Sequence, residues 1–226
     1  MNCLWCYNEI IPEITWTNLF QLERPKLVCD GCAEKLELLQ GQRCIKCSRR
    51  TDVEICSDCQ WWEASKEVDS LEFNYSIFTY NELMQEIIAK WKYRGDYALG
   101  GVFKNYLLDA FQERFSGIKR DAVVIPIPLS KERAKERGFN QAKALADFLP
   151  IKCVDILHRK HGEKQSKKTR MERIGSENPF FLENPINKPV ILVDDIYTTG
   201  TTLRHAASLL KSNGCPVVYG LTLIRG

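Results

Sequence analysis

The sequence has no run of 18 or more apolar residues, so no segment is fit to cross a membrane as a helix. Its opening, Met1-Asn2-Cys3-Leu4-Trp5-Cys6, lacks a basic flank followed by an apolar stretch. No secretory signal is read there, and a cytoplasmic protein is expected. Net charge is scarce: a formal +3 is too small to argue for nucleic acid by itself. Low-complexity tracts are absent, and nothing repeats except pairs of cysteines. The remainder, 44% apolar and 27% charged, is ordinary for a globular protein. The 226 residues suffice for one substantial core and a small module.

Cysteine, by contrast, is abundant. Eight of the ten cysteines lie within the first 59 residues as C-x-x-C pairs: Cys3/Cys6, Cys29/Cys32, Cys44/Cys47 and Cys56/Cys59. Without a secretion signal, metal is a stronger explanation than disulfides. Each pair can bite one metal with two thiolates, and two pairs make a closed tetrahedral zinc site, so two structural zinc ions are expected. Spacing alone leaves open whether neighbouring or interleaved pairs share an ion. Redox dithiols are the competing reading. A stretch of about 60 residues with little apolar periodicity would scarcely fold without metal.

Composition divides the chain into residues 1–62, with the cysteine pairs and four of the five tryptophans, and residues 68–226. In the second part Leu71 to Tyr80 reads as a strand. Leu83, Ile87, Ile88 and Trp91 follow helical spacing, as do Leu99, Val102, Phe103 and Tyr106. Strands are expected at 122–125, 153–157, 190–193 and 217–224, and helices at 140–148 and 202–211, the latter closed by Asn213-Gly214. Continuous apolar strands alternating with helices argue for an α/β fold, a parallel twisted sheet flanked by helices. In such sheets the ligand sits beyond the carboxyl ends of the strands, where the loops after Ile125, Leu157 and Val193 would meet. Cys153, Cys215 and Trp91 are read as core, and His158 and His161 as solvent-exposed.

The chemistry concentrates in Val190 to Thr202, V-I-L-V-D-D-I-Y-T-T-G-T-T. Four apolar residues bury a strand, Asp194 and Asp195 emerge from it, and a turn around Gly200 opens a helix. Backbone N–H groups in such a turn, with the positive end of the helix, form a phosphate cradle. Thr198, Thr199, Thr201 and Thr202 add hydroxyl donors, and Gly200 permits close approach or a positive φ. Adjacent carboxylates suit a ribose diol and can help hold Mg2+. Two basic clusters offer cations for an anionic ligand: Lys131, Arg133, Lys135 and Arg137, and a loop from Arg159 to Arg173.

This segment resembles the phosphoribosyl-diphosphate (PRPP) binding signature of type I phosphoribosyltransferases. Pro126 to Gln141, Gln165 to Phe180, Lys92-Tyr-Arg-Gly-Asp96 and the cysteine-paired N-terminus further resemble the ComF family. The resemblance implies a type I phosphoribosyltransferase fold with a hood at Leu71 to Tyr106, behind a small double zinc ribbon whose neighbouring pairs share zinc. It implies diphosphate contacts from Leu129, Ser130 and Lys131. A closing loop would supply Lys167, Lys168, Arg170 and Arg173, with Mg2+ entering alongside PRPP and Asp194 and Asp195 at the ribose.

For function, the resemblance implies a role in natural transformation, handling incoming single-stranded DNA beside a helicase-like partner. Three readings follow: an enzyme transferring phosphoribose to an acceptor the sequence does not name, a PRPP or nucleotide sensor, and a non-catalytic adaptor for DNA uptake. The intact Asp-Asp and T-T-G-T-T favour the first two, because a platform without a ligand needs no such set of residues. An amidophosphoribosyltransferase is excluded: Cys3 follows Met1-Asn2 and belongs to a metal pair, so it is no N-terminal nucleophile.

Overall fold

The computed structural model describes residues 1–11, 16, 26–65, 69–93, 96–160 and 177–226. His161 and the loop cations Lys167, Lys168, Arg170 and Arg173 lie outside these residues.

A four-stranded parallel sheet forms the centre, in the order β1 (Asn74–Thr79), β6 (Val218–Arg225), β5 (Val190–Tyr197), β2 (Val123–Pro126). Period-two geometry sends successive side chains to opposite faces. Ile191 and Val193 of β5 therefore join one core with Trp91, Phe103, Leu107 and Phe111. Val190 and Leu192 join the other with Leu203, Ala206, Ala207 and Leu210. All four of these strand residues are fully buried, which explains the unbroken apolar run in sequence.

The first core is covered by α3 (Glu82–Tyr93), a 3₁₀ segment at Tyr97–Phe103, α4 (Lys104–Phe115) and α6 (Gln141–Ala146). The second is covered by α7 (Thr201–Ser212). At Gly100 an added Cβ would lie 3.0 Å from the buried Trp91 ring, so a side chain there would press on that ring where the 3₁₀ segment packs on α3. The helical pattern expected from Leu99 onward is thus split, tight 3₁₀ first and α-helix only from Lys104.

One expected strand is corrected. Residues 153–157 do not form a full parallel strand. Only Cys153 bridges Val124, with Val154 donating to the Val124 carbonyl at 2.9 Å. The chain then turns into β3 (Leu157–Arg159), paired antiparallel with β4 (Phe180–Leu182). The apolar register continues from Ile156 to Leu157, but only Leu157 is fully buried there, so packing ends the ladder early. Trp91 and Cys215 are buried as expected, and Cys153 packs against the first core.

The cysteine-rich segment lies along β1. Leu39 N–H donates to Ile77, Thr79 N–H to Glu37 and Asn74 N–H to Lys46, all backbone bonds of 2.7–3.0 Å. The otherwise open edge of β1 is therefore covered. Two short helices, α1 (Asp30–Ala33) and α2 (Ser57–Ser65), carry one cysteine pair member or more each. Among the described residues, no helix is long and apolar enough to cross a membrane.

Candidate functional site

At the carboxyl end of the sheet one pocket gathers Asp194, Asp195, Thr198, Thr199, Thr201 and Thr202 with Lys92, Ile127, Pro128, Leu129, Arg133, Arg137 and Arg159. The loop after β5 supplies the cradle. Gly200 adopts φ 78°, the left-handed region, and serves as N-cap of α7. A Cβ there would collide with the Tyr197 hydroxyl and Arg204, so glycine is required twice over. The Thr199 and Thr201 hydroxyls lie 2.9 Å apart, and Arg204 N–H returns to the Gly200 carbonyl at 3.0 Å, starting the helix. The start of a twelve-residue helix thus faces the pocket with its positive end.

The two carboxylates sit on β5 itself, in register with β6: Asp194 faces Thr222 across the ladder. Both are partly buried, and their environments push them apart. Burial, then the neighbouring Asp195, raises Asp194 to about 8. Burial would raise Asp195 as well, but the Lys92 ammonium, which pairs with its Oδ2, carries it below the usual carboxylate range. The proton of the pair therefore favours Asp194, where it could donate a hydrogen bond, and the charge favours Asp195.

Four cations line the walls. Lys92 comes from the last turn of α3, Arg133 and Arg137 from one face of α5 (Lys131–Arg137), and Arg159 from β3. Burial and then Arg133 lower the Arg159 pKa while Asp194 opposes this, so Arg133, Arg159 and Asp194 share one electrostatic neighbourhood. Sequence reasoning placed Leu129, Ser130 and Lys131 at this wall. Leu129 lines it; Ser130 instead caps α5 by accepting from Arg133 N–H at 3.3 Å, and Lys131 is exposed, outside the lining. The i, i+4 spacing puts Arg133 and Arg137 on one face of α5, but Lys131 and Lys135 share that spacing, so no signal in sequence separates the two pairs. Lys92 belongs to a motif noted in sequence but carried no assigned role.

The eight N-terminal cysteines form two groups, Cys3, Cys6, Cys29, Cys32 and Cys44, Cys47, Cys56, Cys59, each with its sulfurs within 4.8 Å of one another. Neighbouring pairs are therefore joined. No disulfide is formed. The Cys6–Cys29 and Cys47–Cys56 sulfur separations of 3.6 Å match the edge of a tetrahedron, about 3.8 Å for zinc–sulfur bonds of about 2.3 Å. Backbone N–H groups of Cys6 and Cys56 point at the sulfurs of Cys3 (3.5 Å) and Cys44 (3.3 Å), the outer support a thiolate site needs. In the second group, all buried, a hydrogen bond from Cys59, then the backbone at Arg49 and the Arg225 charge, lower the Cys47 thiol against burial. Cys56 and Cys59 are pushed up, so the group's first negative charge rests at Cys47. Both groups fit a structural metal such as zinc, with no coordination position left for substrate.

A parallel sheet ending in paired carboxylates, a threonine loop and a helix start defines a phosphoribosyltransferase-type domain, and the family model for the phosphoribosyl transferase domain matches residues 112–226. The whole chain is similar to the competence protein ComFC of Bacillus subtilis, 40% identical over 230 residues, covering 99% of this chain and 94% of that one. It is also similar to ComFC of Streptococcus pneumoniae (31% identity, 100% of both chains) and to the DNA utilization protein YhgH of Escherichia coli O157:H7 (26% identity, 88% of this chain and 96% of the relative). The chain belongs to the ComF family and carries its phosphoribosyltransferase-like domain.

Proposed function

We propose that the protein binds a phosphoribosyl ligand, PRPP or ribose 5-phosphate, together with Mg2+, and acts in DNA uptake during natural transformation. The observation that carries the reading is the pocket in which a threonine loop, two unlike carboxyls and four cations converge. Thr198, Thr199, Gly200, Thr201 and Thr202 would hold the 5-phosphate. Asp194 and Asp195 would take the ribose diol, one as donor and one as acceptor. Leu129, Arg133, Arg137 and Arg159 would face the diphosphate, with Lys167, Lys168, Arg170 and Arg173 closing over it. Mg2+ would arrive with the diphosphate and neutralise part of its charge. In transfer, the bond between the anomeric carbon and the diphosphate oxygen breaks, and an acceptor nucleophile supplies the electron pair for the new bond. The arginines stabilise the departing anion.

The competence names of the relatives support the cellular role. The wider reading divides the chain into a cysteine-rich domain, 1–62, and a phosphoribosyltransferase-like domain, 68–226. It places the protein in the cytoplasm beside a helicase-like partner and single-stranded DNA. Calorimetric titration of PRPP with Mg2+ tests the site, with Asp194→Ala/Asp195→Ala as control. Saturable binding lost in the double variant is expected. No binding to the native chain would overturn the reading and leave a non-catalytic adaptor in its place.

A further inference from the structure

The second cysteine group and the phosphate loop are joined by three side chains. β5 and β6 are in register at Tyr197 and Arg225, which puts the Arg225 guanidinium under the loop. Its Nη1 donates to the carbonyls of Tyr197 (3.2 Å) and Thr198 (3.0 Å), and its Nη2 reaches Cys47 Sγ at 3.9 Å. Trp62, on α2 three residues after Cys59, donates its indole N–H to the Thr199 carbonyl at 3.1 Å. Arg204, on the first turn of α7, sends Nη2 toward Cys59 Sγ at 4.0 Å and Nη1 to the Tyr197 hydroxyl at 2.5 Å. It lies over the Trp62 ring at 4.8 Å and is held by Asp69 at 2.8–3.2 Å.

Three consecutive carbonyls, 197 to 199, are thus tied on one side. A peptide unit is planar and trans, so its N–H points opposite to its carbonyl. Fixing those carbonyls fixes the N–H groups of 198, 199 and 200, the donors an anion cradle uses. The reason the guanidinium groups sit here is electrostatic: four thiolates around a divalent metal leave two formal negative charges in a buried site, and buried anions need close cations. Among the described residues the first cysteine group has no such link and reaches the hood instead, through Tyr7, whose hydroxyl accepts from Lys90 on α3 at 2.6 Å.

We propose that Arg225, Arg204 and Trp62 are positioning residues that make the metal-loaded Cys44/Cys47/Cys56/Cys59 group the floor of the phosphate cradle. The inference rests on the phosphoribosyl reading for the ligand, while the link between metal and loop stands without it. Coupling of this kind is reciprocal: a loaded second site tightens the ligand, and bound ligand retains that metal.

The test uses the full chain loaded with two metal ions. Without any ligand, release to a chromogenic chelator is expected in two phases, of which Arg225→Met speeds one about tenfold, the usual cost of losing an outer partner, and leaves the other unchanged. Hydrogen exchange across residues 196–202 should rise in the same variant. Trp62→Phe, which keeps the ring but loses the donor, should raise exchange in that loop while both release phases hold, a pattern general destabilisation does not give. In the cobalt-loaded protein, PRPP with Mg2+ should shift the visible bands of one tetrathiolate centre and slow the phase that Arg225→Met speeds. Equal acceleration of both phases, or an unchanged loop in both variants, would overturn the inference. If the native chain binds no PRPP while the chelator and exchange results stand, the phosphoribosyl reading alone fails.

Discussion

At the residue scale the site is a problem of two neighbouring carboxyls that cannot both be comfortable as anions. Lys92 settles it by pairing with Asp195, which leaves Asp194 with burial and a negative neighbour. Its folded value, about 8, lies above its unfolded value, so the folded state holds the proton more tightly. The associated stability is fully present below about pH 4 and is lost as pH rises toward 8. Asp194→Asn mimics the protonated carboxyl at every pH. The variant should therefore melt higher than the native chain at pH 7.5, with the gap closing as pH falls toward 4.5; thermal melts at the two values check this. A constant gap would mean that Asp194 is an ordinary anion. Gly200→Ala should cost about 1–3 kcal/mol, since it forces a left-handed φ on a residue with a Cβ and drives that Cβ into Tyr197 and Arg204. Denaturant unfolding reads that loss, and ligand titration should show the cradle weakened with it.

At the element scale, local signals were legible and long-range ones were not. The strand, two carboxylates and threonine turn from Val190 to Thr202 read directly from sequence because they are contiguous there, although the partners that hold them, Lys92, Trp62 and Arg225, are distant in the chain. The pocket's other wall comes from α3, α5 and β3, and no local pattern says that Lys92 and Arg159 would meet at Asp194 and Asp195. The strand at 153–157 was misread because its apolar alternation continues past the point where β2 ends, and only one bridge to Val124 forms. Asn140 shows how a connection is fixed. Its Oδ1 caps α6 by accepting from Ala142 N–H at 3.0 Å, and its Nδ2 donates to the Ile127 carbonyl at 3.0 Å, pinning the loop after β2 that lines the pocket. Asn140→Ala should cost about 1 kcal/mol, the usual value of a lost helix cap. Because the second bond also goes, the loss should fall at or above that value in chemical denaturation.

At the scale of the whole molecule, composition suggests two domains, and side chains of both pack in the same clusters. Cys3, Val28, Cys32 and Leu36 belong to the same core as Trp91 and Phe103. The second cysteine group belongs to the same core as β2, β5 and α7. Ser48 adds a polar link: its hydroxyl donates to the Asn74 carbonyl at 2.8 Å and accepts from Ser76 N–H at 3.1 Å, inside the buried Asn74–Ser76–Thr222 network. A ribbon that only decorated the surface would unfold on metal loss and leave the sheet's melting untouched. Here the two cysteine groups share the cores of the sheet, so stripping a metal that they hold would loosen side chains in both cores and the cover along β1. Metal analysis should find two zinc ions per chain, and the metal-free protein should melt in one transition lowered by about 10 °C or more, given several kcal/mol of lost binding at about 2–4 °C for each. Circular dichroism in the far ultraviolet, which follows sheet and helices together, is the measurement. Two transitions, the upper one at the native temperature, would mean that the cysteine segment folds apart from the sheet and that the shared packing carries little of the stability.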